Sequence, residues 1–600
     1  MRSFYDQRIT GFTNELNLAT TSANRLSILR GLSFLLGFLS LVAFFSTLDS
    51  INWVWLLLTG IFGLIFYRIV ILHTQKLQDI SKLESLIALN NEEISRMELN
   101  LAGIEDGKTY LDPEHPYHLD LDIFGKHSLF QLLNRCQIPE SKSLLANWLS
   151  HKAPVDEIKL RQEASKELAK DIDWYQNFMA EADISLKKRG KREPEVSQKM
   201  LAEWANKDYH FKMGMGLKVM AIATTIVSVA LVASVLILPL TYHWLYLLII
   251  PNGSLLGYSI KHLNKLSKGM DKAHYLIKTY LKTIPLIENG GFSTVKLKQL
   301  QQKLGTKTPA HKGIEKLSNL AYRLSVRGNM LYPILDGIFL LDAYLLIDLC
   351  NWKVKYQSHI EEWLEVINEM ECLISLAGFS HIHPDYTFPE VDEQPFHFNA
   401  NALGHPLIPE NELVKNDYEI TGRGSIDILT GSNMSGKSTF ERTIGINMVL
   451  AQAGAPVNAA SLSMGLTDIF TSMRTVDDIS KHTSSFYAEL KRINQLLETV
   501  KSGPATFVVI DEVLKGTNSE DRHIGAVALV KKLSSLNAFG IISTHDLSLG
   551  KETQNTTGIR NFSFNSEIKD NQILFDYKLT PGLCKSFNAS KLMEKMGIID

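Results

Sequence analysis

Residues 431–438 read GSNMSGKS, a match to GxxxxGK[ST], directly after the apolar run Ile426–Leu429 and before a segment of helical character. In that context Gly431 and Gly436 let backbone N–H groups converge on phosphate oxygens, and Ser432, Asn433, Met434 and Ser435 supply the loop between them. Lys437 neutralises β- and γ-phosphate oxygens, the Ser438 hydroxyl can ligate Mg²⁺, and Thr439 opens the helix beside them. Downstream, FVVIDEV places Asp511 and Glu512 at the end of a fully apolar run. Asp511 suits holding magnesium through water, and Glu512 suits orienting or deprotonating the attacking water. IISTHD ends a third apolar run in His545, which can sense a γ-phosphate. A bare loop match arises by chance, an acidic pair is often only a solvated turn, and a lone histidine is more often a surface residue. All three in this order predict a site for ATP and Mg²⁺, with Lys437, Glu512 and His545 catalytic and Ser438 and Asp511 on the metal.

Such a site needs strand ends to hold it. From about Glu390 the texture becomes short β-rich runs, GSIDILTG, ATFVVIDEV and FGIISTHD, separated by helical stretches. That alternation predicts a parallel α/β sheet of the P-loop NTPase class over residues 390–600, with its chemistry at the strand ends. Upstream the chain reads as helical, interrupted by apolar runs. The expected organisation is a segment 1–30, a transmembrane hairpin 31–72, the first part of a helical lever domain 73–215, a second hairpin 216–260, and the second lever part 261–389.

Six hundred residues exceed one hydrophobic core. A net charge of −2 and a pI near 6.8 exclude a uniformly basic nucleic-acid coat, so any such contact needs a local patch. Cys136, Cys350, Cys372 and Cys584 are far apart and form neither a zinc spacing nor a disulfide framework. The opening MRSFYDQRITGFTNELN has no early apolar run, so no cleavable signal peptide is expected. Gly31–Leu48, Ile51–Tyr67, Val219–Tyr242 and Trp244–Ile260, by contrast, are apolar enough in this reading to span a bilayer as two hairpins. The fourth is the weakest, because Pro251, Asn252 and Gly253 interrupt it. Lys and Arg flank the outer ends of both hairpins while the tight connectors carry none, which predicts an integral membrane protein, in the inner or plasma membrane if bacterial, with its large domains cytoplasmic. The run Lys187, Lys188, Arg189, Lys191 and Arg192 reads as a flank attracted to anionic lipid rather than a nucleic-acid patch.

The stretches ILTGSNMSGKSTFERTIGINMVLAQAGAPVNA, DDISKHTSSFYAEL, VVIDEVLKGTNSED and STHD resemble, in order and spacing, the ATPase domain of the MutS mismatch-repair proteins. The resemblance extends to LDLDIFGKHSLFQLLNRCQIPESKSLLANWLSHKAPVDEIKLRQ, similar to the start of the lever domain, to LGHPLIP, and to YKLTPGLCKSFNASKLMEKMGI. It implies that Asn433, Lys437 and Ser438 contact nucleotide and metal, that Asp511 and Glu512 handle Mg²⁺ and water, and that His545 is a switch histidine. It further implies that Ser484, in TSSF, reaches the γ-phosphate held by a partner subunit, so that ATP would join a head-to-tail homodimer.

Three departures limit the inheritance. His482 replaces a glycine usual shortly before that serine, which would weaken or retune the trans contact. The chain ends at Asp600 without the helix-turn-helix extension that strengthens dimers in the repair proteins. The places of the mismatch-reading and DNA-clamping modules hold the two hairpins, and Phe388-Pro389-Glu390 matches the mismatch-reading FxE by letters only. The sequence therefore predicts a membrane-anchored MutS-like ATPase that couples nucleotide state to lever movement, with lipid as a partner, DNA an open one, and no mismatch reading. The alternatives are an ATP-driven transporter, against which the four spans lack any ionisable residue, and a nucleotide-regulated membrane scaffold.

Overall fold

The structure is a computed structural model of the chain. It describes residues 1–46, 53–187, 198–207, 215–237, 242–268, 270–305, 308–432, 434–474, 485–515, 517–553, 556–569 and 572–584. The run Lys188–Arg192 lies outside them.

The first apolar pair forms α1 (Arg2–Ser46) and α2 (Trp53–Met97), each a single 45-residue helix. The expected divisions at 30/31 and 72/73 therefore fall inside continuous helix, since no proline interrupts either stretch. Forty-five helical residues measure about 68 Å, roughly twice a hydrocarbon core, so both helices extend well past their apolar halves. The extensions dock on the helical domain. Arg8 reaches Gln176 at 3.0 Å and Asp173 at 2.8 Å, Ser85 donates to Asp183 at 2.6 Å, and Tyr5 is fully buried.

That domain comprises α3 (Leu129–Leu133), α4 (Pro139–Ser150), α5 (Val155–Ala169), α6 (Ile172–Lys187) and α7 (Gln198–Asn206). After the second apolar pair, α8 (Met215–Ile237) and α9 (Ile249–Ser267), it continues with α10 (Met270–Glu288), α11 (Val295–Lys303), α12 (Ala310–Val326), α13 (Tyr332–Phe339), α14 (Leu341–Tyr356) and α15 (Ile360–Ile382). The two blocks on either side of α8 and α9 share one core centred on α15, which is buried along most of its length. Arg135, fully buried, makes a two-pronged pair with Glu93 at 2.8 and 2.6 Å and so ties the far end of α2 to this core. The Arg135 side chain lies so close to Gly378 of α15 that a Cβ there would stand 2.2 Å from its Nε.

Among the described residues three helices are long and apolar enough to cross a membrane: α1, α2 and residues Lys218–Val235 of α8. The expected fourth span, Trp244–Ile260, is not continuous α-helix: Tyr242–Leu248 forms a 3-10 turn and α9 starts at Ile249. Pro251 falls in the first turn of α9, where its missing N–H costs no helical bond.

The C-terminal region contains β1 (Glu390–Asp392), β2 (His397–Leu403), β3 (Asn416–Thr421), β4 (Ile426–Gly431), α16 (Lys437–Ala453), β5 (Ser461–Gly465), β6 (Asp468–Ser472) and α17 (Ser485–Ser502). It ends with β7 (Thr506–Asp511), α18 (Ser519–Ser534), β8 (Ala538–Thr544), α19 (Leu547–Thr553), β9 (Ile559–Lys569) and β10 (Gln572–Pro581). The larger sheet has the order β10-β9-β4-β8-β7-β6 and is parallel except at β10, as the alternating texture predicts. A second, mixed sheet of order β1-β5-β2-β3 was not anticipated, because its strands are short and alternate between buried and exposed residues. Phe388, in the FxE triplet, lies under Lys166 of α5 at 4.6 Å, a packing role that needs no DNA.

Candidate nucleotide site

β4, β7 and β8 are adjacent parallel strands whose carboxyl ends lie level: Asp511 is paired with Ser543, and Thr430 with Thr544. The P-loop, the acidic pair and His545 thus leave one sheet edge together, although residues 431 and 545 are far apart in sequence. Gly436 caps α16 at φ 104, and a Cβ there would stand 3.0 Å from the Tyr577 ring, so glycine is needed on both counts. Met434, at φ 67, points outward and is 86% exposed.

The Lys437 ammonium donates to the carbonyls of Gly431 at 2.9 Å and Ser432 at 3.0 Å, directly over the loop. Burial pulls its pKa below the ordinary lysine value, with Glu512 and Asp511 opposing that shift. Ser438 donates to one Asp511 oxygen at 2.6 Å and Ser543 to the other at 2.6 Å. A hydroxyl and a carboxylate at the start of a helix are the hard oxygen donors that Mg²⁺ takes, so these residues fit the ion. Glu441, one turn into α16, is fully buried; burial first and Asp511 second push its carboxyl well above the usual range.

Glu512 sits at φ 55, an uncommon conformation for a non-glycine residue, and its N–H donates to the Ser543 carbonyl at 3.2 Å. Its carboxylate contacts His545 Nε2 and lies 3.3 Å from Lys515 Nζ. The His545 hydrogen bond is the main reason that the Glu512 pKa is drawn down to about 2, burial opposing and Lys515 assisting. His545 Nδ1 is 3.0 Å from the Gly431 carbonyl, so the ring bridges the first residue of the P-loop and the candidate base.

A cleft of about 730 Å³ runs from the P-loop and Glu512 to a wall that includes Ile408, Leu413, Phe564 and Tyr577. Tyr577, at φ 53, interrupts the β9–β10 register and presents its ring beside Gly436. A flat aromatic and aliphatic wall opposite a phosphate loop suits a nucleotide base. Sequence reasoning assigned none of these wall residues a role. YKLTP and LGHPLIP belong to the resembling stretches, but the register shift that brings the Tyr577 ring beside Gly436 leaves no local signal.

Two supports were also missed. Glu489 of α17 accepts the N–H groups of Leu514 and Lys515, holding the loop that follows Glu512. Asp120, in LDLDIFG, accepts from Thr471 Oγ1 at 2.7 Å, Met473 N at 3.2 Å and Arg474 N at 2.9 Å, while Asp122 pairs with the Arg474 guanidinium at 2.7 and 2.8 Å. The helical domain thereby grips the end of β6 just before residues 475–484. Ser484 and His482 fall in that segment, outside the described residues, as does Asn433.

Residues 427–596 match the family model described as MutS domain V. The chain is similar to the DNA mismatch repair protein MutS of Carboxydothermus hydrogenoformans, 30% identical over 249 residues, covering 40% of this chain and 29% of that protein. It is likewise similar to the DNA mismatch repair protein MutS of Natronomonas pharaonis, 28% identical over 245 residues covering 40% and 28%. The MutS protein homolog 4 of Mus musculus is 29% identical over 260 residues covering 41% and 26%. The matched part thus spans less than a third of the length of these relatives.

Proposed function

The chain belongs to the MutS family through its C-terminal region, and from that premise we propose that it is a membrane-anchored ATPase whose nucleotide state drives movement of the helical domain. The observation that carries the reading is the array at one sheet edge: Lys437 over the loop, Ser438 and Ser543 on Asp511, and Glu512 against His545. In this reading Lys437 and the loop N–H groups hold the phosphates. Ser438 and Asp511 would hold Mg²⁺, which would supply positive charge against that developing on the phosphates. Glu512, a carboxylate at neutral pH, accepts a proton from the attacking water, and His545 orients it and relays the condition of the P-loop through Gly431. Ser484 completes the site of a second copy in a homodimer, with His482 tuning that contact.

The anchoring half of the reading rests on α1, α2 and α8, whose length and apolar composition suit a bilayer. By the resemblance, α1–α2 and α8–α9 fall where MutS proteins keep DNA-handling modules, so in this reading lipid replaces DNA as the principal surface, and DNA contact is confined to the helical domain.

The test is the ATPase rate of the full chain in detergent, alone and with duplex, mismatched or branched DNA. Glu512→Gln should keep ATP binding and lose turnover by about 10²-fold to 10⁴-fold, while Lys437→Ala should lose binding. Equal turnover in wild type and Glu512→Gln would refute the assignment. Stimulation by DNA at low salt would place DNA among the partners, and its absence would leave the anchored motor without a DNA role.

A further inference from the structure

We infer that residues 329–347 form a third membrane-embedded element, a re-entrant wedge made of α13 and the first half of α14, seated against α8 and α9 with its outer face on lipid acyl chains. The inference rests on the reading that α8 spans a bilayer. The stretch NMLYPILDGIFLLDAYLLI carries two charged residues, Asp336 and Asp342, and both are turned inward at 5% and 1% exposure. Asp342 accepts from Tyr332 Oη at 2.8 Å and from Arg327 at 2.8 Å, and Asp336 accepts from the Asp342 N–H at 2.8 Å. With its charges satisfied inside, the element presents Met330, Leu331, Ile334, Leu335 and Phe339, between 41% and 92% exposed. A continuous apolar face of this kind is costly in water.

Its depth follows from its register with α8. Lys218 bonds Asn351 at 3.2 Å, and Tyr344 Oη lies 3.3 Å from Thr225 Oγ1. The two helices thus run antiparallel in step, seven residues on α8 matching seven on α14. Further along, Asn252 of α9 donates both to Ser228 Oγ at 2.9 Å and to the Gly337 carbonyl at 2.8 Å, placing α13 level with Ser228. Ser228 is ten residues beyond Lys218, about 15 Å of helix, or roughly half of a ~30 Å hydrocarbon core. If Lys218 marks the membrane surface, the end of α13 lies near mid-depth.

The corner between α13 and α14 meets the condition for non-helical backbone at such depth, which is that its polar groups find protein partners. Leu340 turns it at φ 53; its N–H donates to the Asp336 carbonyl at 2.9 Å, and Asn252 takes the Gly337 carbonyl. Leu340, Ala343 and Ile347 pack with Ala221 of α8 and Leu255 of α9 on the inner side, leaving the outer side for lipid. A protein occupant would have to enter the layer that α8 itself occupies, which is why lipid is the assigned partner.

The experiment installs the photo-cross-linker p-benzoylphenylalanine singly at Ile334, at Leu335, at Val227 of α8 and at Lys491 of α17. The full chain is irradiated in phosphatidylcholine–phosphatidylglycerol liposomes, and adducts are read by mass spectrometry. Lipid adducts at Ile334 and Leu335, within a few-fold of those at Val227 and absent at Lys491, are expected. Adducts at Val227 without adducts at 334 or 335, or protein adducts there instead, would overturn the wedge and leave the anchoring reading standing. Absence of lipid adducts at Val227 as well would sink the anchoring reading and the wedge together. The second wedge position guards against local misfolding at the first, and retained ATPase activity in each variant reports an intact fold.

Discussion

Asp511 is gripped from both sides, by Ser438 of α16 and by Ser543 of β8, each at 2.6 Å. A ligating carboxylate oriented by a neighbour that does not itself bind metal typically loses about 10-fold to 100-fold in metal affinity when that neighbour is removed. Ser543→Ala should therefore raise the Mg²⁺ concentration for half-maximal ATPase by about 10-fold, with kcat at saturating Mg²⁺ largely retained. A metal titration of the two proteins decides it, and superimposable curves would remove Ser543 from the site. Glu489 acts one step further out. Glu512 and Leu514 sit at φ 55 and 58, and such strain persists only where the surroundings hold it. Glu489 supplies that hold by accepting the N–H groups of Leu514 and Lys515. Glu489→Ala should lower kcat by about 10-fold to 100-fold, the scale of a small misplacement of a reacting group, while KM for ATP stays nearly constant. A rise in KM without loss of kcat would mean that the loop is set by something else. That Lys437, Ser438, Asp511 and Glu512 meet at one sheet edge was legible in the sequence because their residue types and spacing follow apolar strands. Ser543 and Glu489 were not, because a serine on a strand and a glutamate on a helix acquire their roles only from the neighbours that folding delivers.

At the scale of elements, α15 is joined to the start of α4 by a buried carboxylate. Glu371 accepts the N–H groups of Gln137 and Ile138, each at 3.1 Å, just ahead of Pro139. Burial pushes its pKa up to about 7, the two backbone donors offsetting only part of the shift. An unfolded glutamate titrates near ~4.3. Because the folded value is the higher, Glu371 contributes its full stability below about pH 4 and loses it as the pH rises through 7, a swing of roughly 4 kcal/mol. Glu371→Gln cannot ionise, so its melting temperature relative to wild type should climb between pH 5 and 8. Thermal melts of both proteins in detergent across that range measure this, and parallel profiles would contradict it. The elements themselves were partly legible. Strand and helix types in the C-terminal region followed from apolar runs between turn signals, and the long helices from unbroken apolar and amphipathic stretches. The wedge of α13 and α14 was hidden because Pro333, Asp336 and Asp342 break the apolar run that a span search looks for, and only the inward turn of both aspartates restores its apolar face. The fourth span was overread for the opposite reason, an uncharged composition that says nothing about where α9 begins.

At the scale of the whole molecule, the helical domain touches the nucleotide region at a place that matters for assembly. Asp120 and Asp122 fix Arg474 and the end of β6, and the next ten residues, 475–484, lead to Ser484, the side chain assigned to a second copy's nucleotide. In the same domain, the Glu93–Arg135 pair joins it to α2, and the Arg135 N–H donates to Ser375 Oγ of α15 at 3.1 Å. α2 and the end of β6 are thus attached to one body, which is the arrangement that the proposed nucleotide-driven lever requires. It follows that ATP should join two chains and that the grip of Asp120 should set how well. With Mg²⁺ and ATP, Glu512→Gln in detergent should shift to twice the protomer mass by light scattering. Adding Asp120→Ala should reduce that shift while leaving ATP affinity within a few-fold, because Asp120 touches β6 and not the P-loop. Equal dimerisation with and without Asp120 would show that the segment needs no support from the helical domain, and a nucleotide-independent mass in both proteins would remove the composite site altogether.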